Sequence, residues 1–248
     1  MMNYCIESET GDFRKQNQDK AALFSKGDWT LAILCDGMGG HFGGEKCAEI
    51  AIESLRDYFT NNFPENMQDS NKASITKWFN NAISYIKKQM DSFVEDEPGF
   101  KDMGTTLTAA LIFNISKHIY IFNVGDSRTY AYNGYMHQIT RDQNYLSELL
   151  DMGIPYSKAS KNINSEKLVS CLGPNKFMTV AGYDLKSGYN VKYLLLTSDG
   201  CHDYVSKPQM EVIIQNPKKS IQEKVKLLIK TAKKNFSKDN ITVLLVEL

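Results

Sequence analysis

Four aspartates in this chain stand at the ends of apolar runs. Asp36 follows "LAILC", Asp126 follows "IYIFNVG", Asp199 follows "YLLLTS", and Asp239 comes just before "NITVLLVEL". A single Asp-Gly after a strand is ordinary turn chemistry. Turns do not require aspartate every time, however, whereas a site for a hard cation needs several converging carboxylates. Together the four read as a candidate oxygen-donor site for magnesium or manganese. Zinc bound through histidine does not fit, because His41, His118, His137 and His202 are the only histidines and none is paired at helical spacing.

A second constellation is "GDFRKQNQDK", which sets Arg14, Asn17 and Asp19 close together. Arginine is scarce here; Arg14, Arg56, Arg128 and Arg141 are the only four. Its planar fork suits a phosphate held through two hydrogen bonds. One arginine in a polar loop, taken alone, is a surface residue, and its neighbours are what make it a candidate.

The elements that must position these groups follow from periodicity. Short runs rich in β-branched and aromatic residues mark strands at "TLAILC", "TLTAALIF", "HIYIFNV", "RTYAYN", "TVAGYDL", "YLLLTS" and "ITVLLVEL". Asn133-Gly134 between two such runs predicts a hairpin of antiparallel neighbours. Two long amphipathic helices follow the opening strands, with stripes at Cys47, Ile50, Ala51, Ser54, Leu55 and Tyr58, and at Ile75, Trp78, Phe79, Ala82, Ile86 and Phe93. Further helices are expected near 144 to 152, 207 to 216 and 219 to 235. Helices segregated from antiparallel strands point to a layered α+β fold rather than alternating βαβ units.

Composition narrows the function classes. Twenty-nine basic residues balance twenty-nine acidic ones, which argues against a nucleic-acid tract and against a nuclease groove. The most lysine-rich run, "NPKKSIQEKVKLLIKTAKK", carries apolar residues at helical spacing, so its lysines read as a solvated face. Five scattered cysteines with no C-x-x-C pair favour a reducing compartment over disulfides or zinc. Cys35 and Cys201 flank the acidic motifs and read as small packing residues. No signal peptide and no apolar run of membrane-spanning length is present, and the chain is expected to be a soluble, cytoplasmic monomer without membrane contact. With no repeat or linker, residues 1–248 read as a single catalytic domain.

In chain order the segments "FRKQNQD", "DGMGGHFGGE", "MGTT" at 103–106, "GDSR" at 125–128, "LTSDG" at 196–200 and "DNIT" at 239–242 run from residue 13 to residue 242. As an ordered set they are specific, though each alone is weak. The set resembles the metal-dependent protein serine/threonine phosphatases of the protein phosphatase 2C type, in their bacterial form. The resemblance implies a central β-sandwich of two antiparallel sheets flanked by helices on both sides, four layers in all. It also implies roles. Asp36 would bridge two manganese or magnesium ions, and the Gly37 carbonyl would bind one of them, glycine letting the backbone come close. Asp199 and Asp239 would complete the other ion's shell, and Asp126 would help hold a third, weaker ion. Arg14 would clamp the phosphate, and Asp19 would orient metal-bound water from behind the ligands.

Hydrolysis of a phosphate monoester needs enhancements up to ~10²¹, while one general acid or base supplies only ~10²–10⁴. Two cations roughly 3.5–4 Å apart can acidify a shared water and neutralise the phosphoryl group during in-line attack. The implied reaction is thus hydrolysis of phosphoserine and phosphothreonine in proteins by a bridging metal-bound hydroxide. A cysteine phosphatase would need Cys-x5-Arg, but the residues six after each cysteine are Gly11, His41, Glu53, Phe177 and Lys207.

The chain departs from the family pattern in places. Gln18 stands where many members have glutamate, replacing a charged group behind the ligands by a neutral one. Met38 occupies the position of the histidine that animal members carry, and His41 is the nearest substitute for its role. His202, beside Asp199, reads as a group behind the ligands or at the surface. The segment at about 141–175 matches the family's mobile flap, with Asp142-Gln143 in place of Asp-His, and offers little signal of order. By analogy, the substrates are phosphoproteins made by a bacterial-type serine/threonine kinase. The alternative is a catalytically silent, phosphoprotein-binding or regulatory member of the same fold, disfavoured because the acids and Arg14 are all present.

Overall fold

The strand pattern in this protein divides its apolar residues between two faces. In a computed structural model, which describes residues 2–39 and 43–248, the run Trp29–Cys35 is buried throughout. Trp29, Leu31, Ile33 and Cys35 face one hydrophobic cluster, while Ala32 and Leu34 face another. The period of two that assigns alternate side chains to opposite faces requires covering on both sides.

Among the described residues the elements run β1 (Asn3–Glu9), β2 (Lys20–Lys26), β3 (Trp29–Cys35), β4 (Gly37–Met38), α1 (Gly43–Asn62) and α2 (Lys72–Asp96). Then come β5 (Gly104–Thr105), β6 (Leu107–Phe113), β7 (His118–Val124), β8 (Arg128–Tyr132), β9 (Met136–Gln138), α3 (Tyr145–Asp151) and α4 (Tyr156–Ala159). The chain finishes through β10 (Ala181–Leu185), β11 (Tyr193–Thr197), α5 (Asp199–His202), α6 (Lys207–Ile214), α7 (Ile221–Lys234) and β12 (Ile241–Glu247).

Two five-stranded antiparallel sheets result, in the orders β1-β12-β11-β8-β9 and β10-β7-β6-β3-β2. Ala32, Leu34, Ala110 and Ile121 of one sheet pack against Leu194, Leu196, Leu244 and Val246 of the other. The outer face of the β3 sheet meets α1 and α2 through Leu31, Leu55, Phe79 and Phe122, where Phe79 and Phe122 stack with centroids 3.9 Å apart. Leu195, Val243 and Leu245 of the other sheet meet α6 and α7. This is the expected helix, sheet, sheet, helix layering.

All seven strand runs and all five helical segments read from periodicity are present. Several details differ. The α1 stripe is rotated slightly, burying Ala48, Ile52 and Phe59 while Ile50 and Tyr58 stay half-buried. The β8–β9 hairpin closes through three residues, since Tyr132 pairs with Met136, and Gly134 alone takes a positive φ of 121°. Strands β1 and β2 had no clear apolar signature because both are sheet edges, half open to solvent.

Candidate active site and metal centre

Antiparallel register gathers the acids at one end of the sandwich. Lys20 pairs with Cys35, so Asp19, just before β2, lies beside Asp36, just after β3. Leu107 pairs with Val124, bringing Thr106 opposite the turn that holds Asp126. Thr197 pairs with Val243, which sets Asp199, the first residue of α5, near Asp239 and Asn240. Asp36, Gly37, Asp126, Asp199, Asp239 and Arg14 line one pocket of about 280 Å³. The site residues read from sequence are thereby brought together, except His41, which lies outside the described residues.

The backbone at Asp36 is held on both sides. Its N–H donates to Thr106 Oγ1 at 2.9 Å, and its carbonyl accepts from Thr106 N at 2.9 Å and Thr105 Oγ1 at 3.0 Å. Thr106 Oγ1 also lies 2.6 Å from Ser127 Oγ. These hydroxyls belong to "MGTT" and "GDSR", but no role could be given them from spacing, because the contacts cross between strands. The glycine at 37 answers to packing as well as to any ligand. A Cβ there would lie 2.2 Å from the Gly44 carbonyl oxygen and 2.6 Å from that of Gln18, so the first turn of α1 fills the space.

Asp19 is 3% exposed; its Oδ2 accepts from Thr242 Oγ1 at 2.7 Å, while Oδ1 has no hydrogen-bond partner. Asp199 Oδ1 is likewise buried without one. Buried polar atoms in folded proteins are nearly always partnered, so two orphans in one site call for a missing donor or cation. Asp239 is different, because Oδ1 accepts the Asn240 N–H at 2.8 Å and Oδ2 accepts Arg14 Nη2 at 2.5 Å. Arg14 therefore rests on an acid of the site, where sequence had assigned it to phosphate. Gln18 lines the pocket and donates its backbone N–H to Asn240 Oδ1 at 2.9 Å.

Enclosure and mutual repulsion act together on the acids. Asp36 and Asp199 are pushed well above the usual carboxylate range, first by burial, then by the neighbouring aspartates. Burial also raises Asp126 to about 7 and Asp19 to about 6. Among the described residues the pocket lining carries Asp36, Asp126, Glu166, Asp199 and Asp239 against one cation, Arg14. Among the described residues no three His, Cys, Asp or Glu side chains form a ready-made cage for an ion. With Arg14 seated on Asp239 and the other carboxyls repelling, the acids are gathered but not closed around a point.

The sequence missed three contributors. Arg128 grips Asp142 through two hydrogen bonds, Nε–Oδ1 at 2.8 Å and Nη2–Oδ2 at 2.6 Å, tying the start of the 141–175 segment to the Asp126 turn. Gln143 reinforces this by accepting the Gly125 N–H at 2.8 Å. Asn240 joins the Arg14 loop to Asp239. The scarcity of arginine was the one available signal for Arg128. The 141–175 segment holds the expected helix α3, capped by Asn144, which accepts from Ser147 N at 3.0 Å, and adds the short α4. His202 is buried rather than superficial. Its Nδ1 lies 2.9 Å from Thr197 Oγ1, and burial with nearby Arg128 depresses its proton affinity well below that of free imidazole.

Comparison with known proteins locates this arrangement. A family model described as Protein phosphatase 2C matches residues 14–228. The serine/threonine phosphatase stp of Listeria welshimeri is 33% identical over 245 residues, covering 98% of this chain and 94% of that protein. The crystal structure of the Mycobacterium tuberculosis serine/threonine phosphatase PstP/Ppp superposes with a TM-score of 0.82 at 27% identity, covering 100% of this chain and 98% of that one. A PstP catalytic domain in complex with two manganese ions superposes at 0.77 with 26% identity, covering 99% and 97%. A match over most of the chain, on the fold and motif order described above, places the protein in the protein phosphatase 2C family, the serine/threonine protein phosphatases, in its bacterial form.

Proposed function

We propose that the protein removes phosphate from phosphoserine and phosphothreonine of other proteins with two manganese or magnesium ions. Asp36, the Gly37 carbonyl, Asp199 and Asp239 would hold them, with Asp126 available to a third ion. The observation that carries this reading is the set of buried, mutually repelling carboxylates, with Asp199 Oδ1 and Asp19 Oδ1 unpartnered. All the donors are oxygens, which suits hard cations. A related catalytic domain holds two manganese ions. When bound, such ions acidify water and neutralise charge on a phosphoryl group.

The protein's own residues supply orientation and exclusion. The Thr105 and Thr106 contacts fix Asp36 at the end of β3, and the tight packing at Gly37 fixes the carbonyl beside it. Asp19, held by Thr242, stands behind Asp36 and orients water. Arg14, half exposed at the mouth, receives the substrate's phosphate oxygens. Residues 141–175 act as a flap over the pocket and contact the phosphoprotein, with Glu166 and Leu168 already lining its wall. The whole chain works as one catalytic domain and as a monomer, in the cytoplasm, on proteins phosphorylated by a bacterial-type kinase. Among the described residues no helix is long and apolar enough to cross a membrane.

The test is release of phosphate from a phosphothreonine peptide, with and without manganese, by the parent, Asp239→Asn and Asp199→Asn. Both variants are needed because Asp239 also carries Arg14. Metal-dependent turnover in the parent and its loss in both variants is the expected result. Turnover that persists in Asp199→Asn would remove that residue from the proposed ligand set.

A further inference from the structure

The one guanidinium of the pocket is already engaged, and its engagement is electrostatic. Arg14 is 54% exposed, yet its Nη2 is drawn to Asp239 Oδ2 at 2.5 Å. Its proton affinity is raised chiefly by that hydrogen bond, with further pull from Asp239, Asp199 and Asp36. The backbone around the pair is clamped. Asn240, 5% exposed, donates Nδ2 to the Thr10 and Gln16 carbonyls at 2.8 Å each and accepts from Gln18 N at 2.9 Å. A Cβ on Gly11, whose φ is +75°, would lie 2.3 Å from the Asp239 carbonyl oxygen. Loop and strand are thus fastened together on both sides of Arg14, so the pair parts through its side chains rather than its backbone.

Asp239 therefore has two claimants, the guanidinium and any divalent cation that the acids gather. We propose that the Arg14–Asp239 ion pair is an internal counter-charge which metal binding displaces, so that filling the site hands the guanidinium to the substrate's phosphate. This rests on the ligand set given under the proposed function. In the metal-free protein Arg14 offsets part of the repulsion among the acids. With a divalent cation on Asp239, Arg14 would be repelled and its carboxylate partner weakened, so that a phosphate would become the better partner. Asn240 holds the Arg14 loop against Asp239, so the guanidinium and the carboxylate stay within reach of each other. Linkage then requires phosphate to strengthen metal binding by the same factor as metal strengthens phosphate binding.

Calorimetric titration with manganese alone, in phosphate-free buffer, tests this on the parent, Arg14→Gln and Asp36→Asn. Arg14 is exposed, so its replacement leaves the fold intact. Arg14→Gln is expected to bind manganese roughly two- to five-fold more tightly, the scale of a half-exposed ion pair. Inorganic phosphate should strengthen manganese binding in the parent and do so much less in the variant. Equal or weaker manganese binding by Arg14→Gln overturns the exchange while leaving the ligand set standing. Identical manganese binding by the parent and Asp36→Asn removes the ligand set itself, and the exchange falls with it. A second readout is independent of affinity. With only four arginines, the Arg14 guanidinium signal is identifiable by its loss in Arg14→Gln. Its rotation about Cζ–Nε should be hindered without metal, freed at saturating magnesium and hindered again on adding inorganic phosphate. A signal indifferent to magnesium is the opposing outcome.

Discussion

At one end of the sandwich Asp184 and Asp69 flank His118, and at the other Asp36, Asp126 and Asp199 flank one another. The first group is fully partnered. His118 Nε2 lies 2.7 Å from Asp184 Oδ1, Ser116 Oγ donates to Asp69 Oδ2 at 2.5 Å, and Lys72 Nζ stands 3.5 Å from Asp184 Oδ2. At the second end Asp199 Oδ1 and, beside the group, Asp19 Oδ1 are buried and unbonded, and burial raises the carboxyls. Asp184 sits in β10 and Asp69 in the loop between α1 and α2, whereas Asp36, Asp126 and Asp199 follow strands of both sheets. The difference lies in the carboxylates, since Asp184 and Asp69 each meet a donor while Asp199 and Asp19 each keep a buried oxygen without one, and such oxygens mark the candidate site.

The sharpest way to break this contrast is to neutralise one acid at each end. Asp199→Asn should lower kcat/KM roughly 10²–10³-fold, the scale for removing one charge-stabilising group. The same change should raise the metal-free melting midpoint, because it relieves repulsion. Asp184→Asn should do the reverse, keeping turnover near the parent's and lowering the midpoint by about 2–4 °C, as loss of ~1 kcal/mol does in a chain of this size. Calorimetry and a phosphopeptide assay on the two variants decide the matter, and similar behaviour at both ends would dissolve the distinction.

Arg128→Ala probes a pair that stands at the catalytic end and yet is fully satisfied. The Arg128 and Asp142 side chains are 21% and 12% exposed, so the change leaves a largely buried carboxylate without a cation, held by a Gln138 Nε2 contact at 3.5 Å. The expected cost is about 3 kcal/mol in chemical unfolding, with KM raised more than kcat is lowered, because the 141–175 segment loses its tether. A variant as stable as the parent would show that the forked contact holds nothing in place.

The smallest expected effect is a pH slope in the metal-free protein. Asp126 keeps its proton up to about 7 and Asp19 up to about 6, against 3.8 for the free group. A folded state that retains protons the unfolded chain has released gains stability as pH falls. That contribution is complete below the free value and is lost as pH rises through about 6 and 7. Asp36 and Asp199 act in the same sense. His202, held neutral by burial, opposes them below its free value, since unfolding lets it take up a proton. Four acids against one imidazole should make the midpoint fall between pH 5 and pH 8, and manganese should flatten the curve. A midpoint that rises over this range in the absence of metal would contradict the crowding of charge.

Much of the frame was legible in the chain itself. The continuous apolar runs "TLAILC" and "ITVLLVEL", and the stripe running from Ile75 to Ile86, are local properties, so strands and helices could be read directly. Asp36, Asp126, Asp199 and Asp239 could be picked out because each ends or begins an apolar run. Edge strands β1 and β2 could not, because half-exposed strands lack a clean pattern. The Arg128–Asp142 grip, the Thr106–Ser127 contact and the Asn240 clasp also stayed hidden. Each joins segments 14 to 230 residues apart, through hydrogen bonds that no local period encodes.

By itself, then, the sequence determined which elements form, which faces they bury and which acids stand at strand ends, since these depend on residue type and short spacing. Tertiary structure alone decided that the acids crowd at one end with two oxygens unpartnered, and that Arg14 spends its charge on Asp239. Pairing register and the distance between loops set those relations. They exist only once the two sheets have closed on each other.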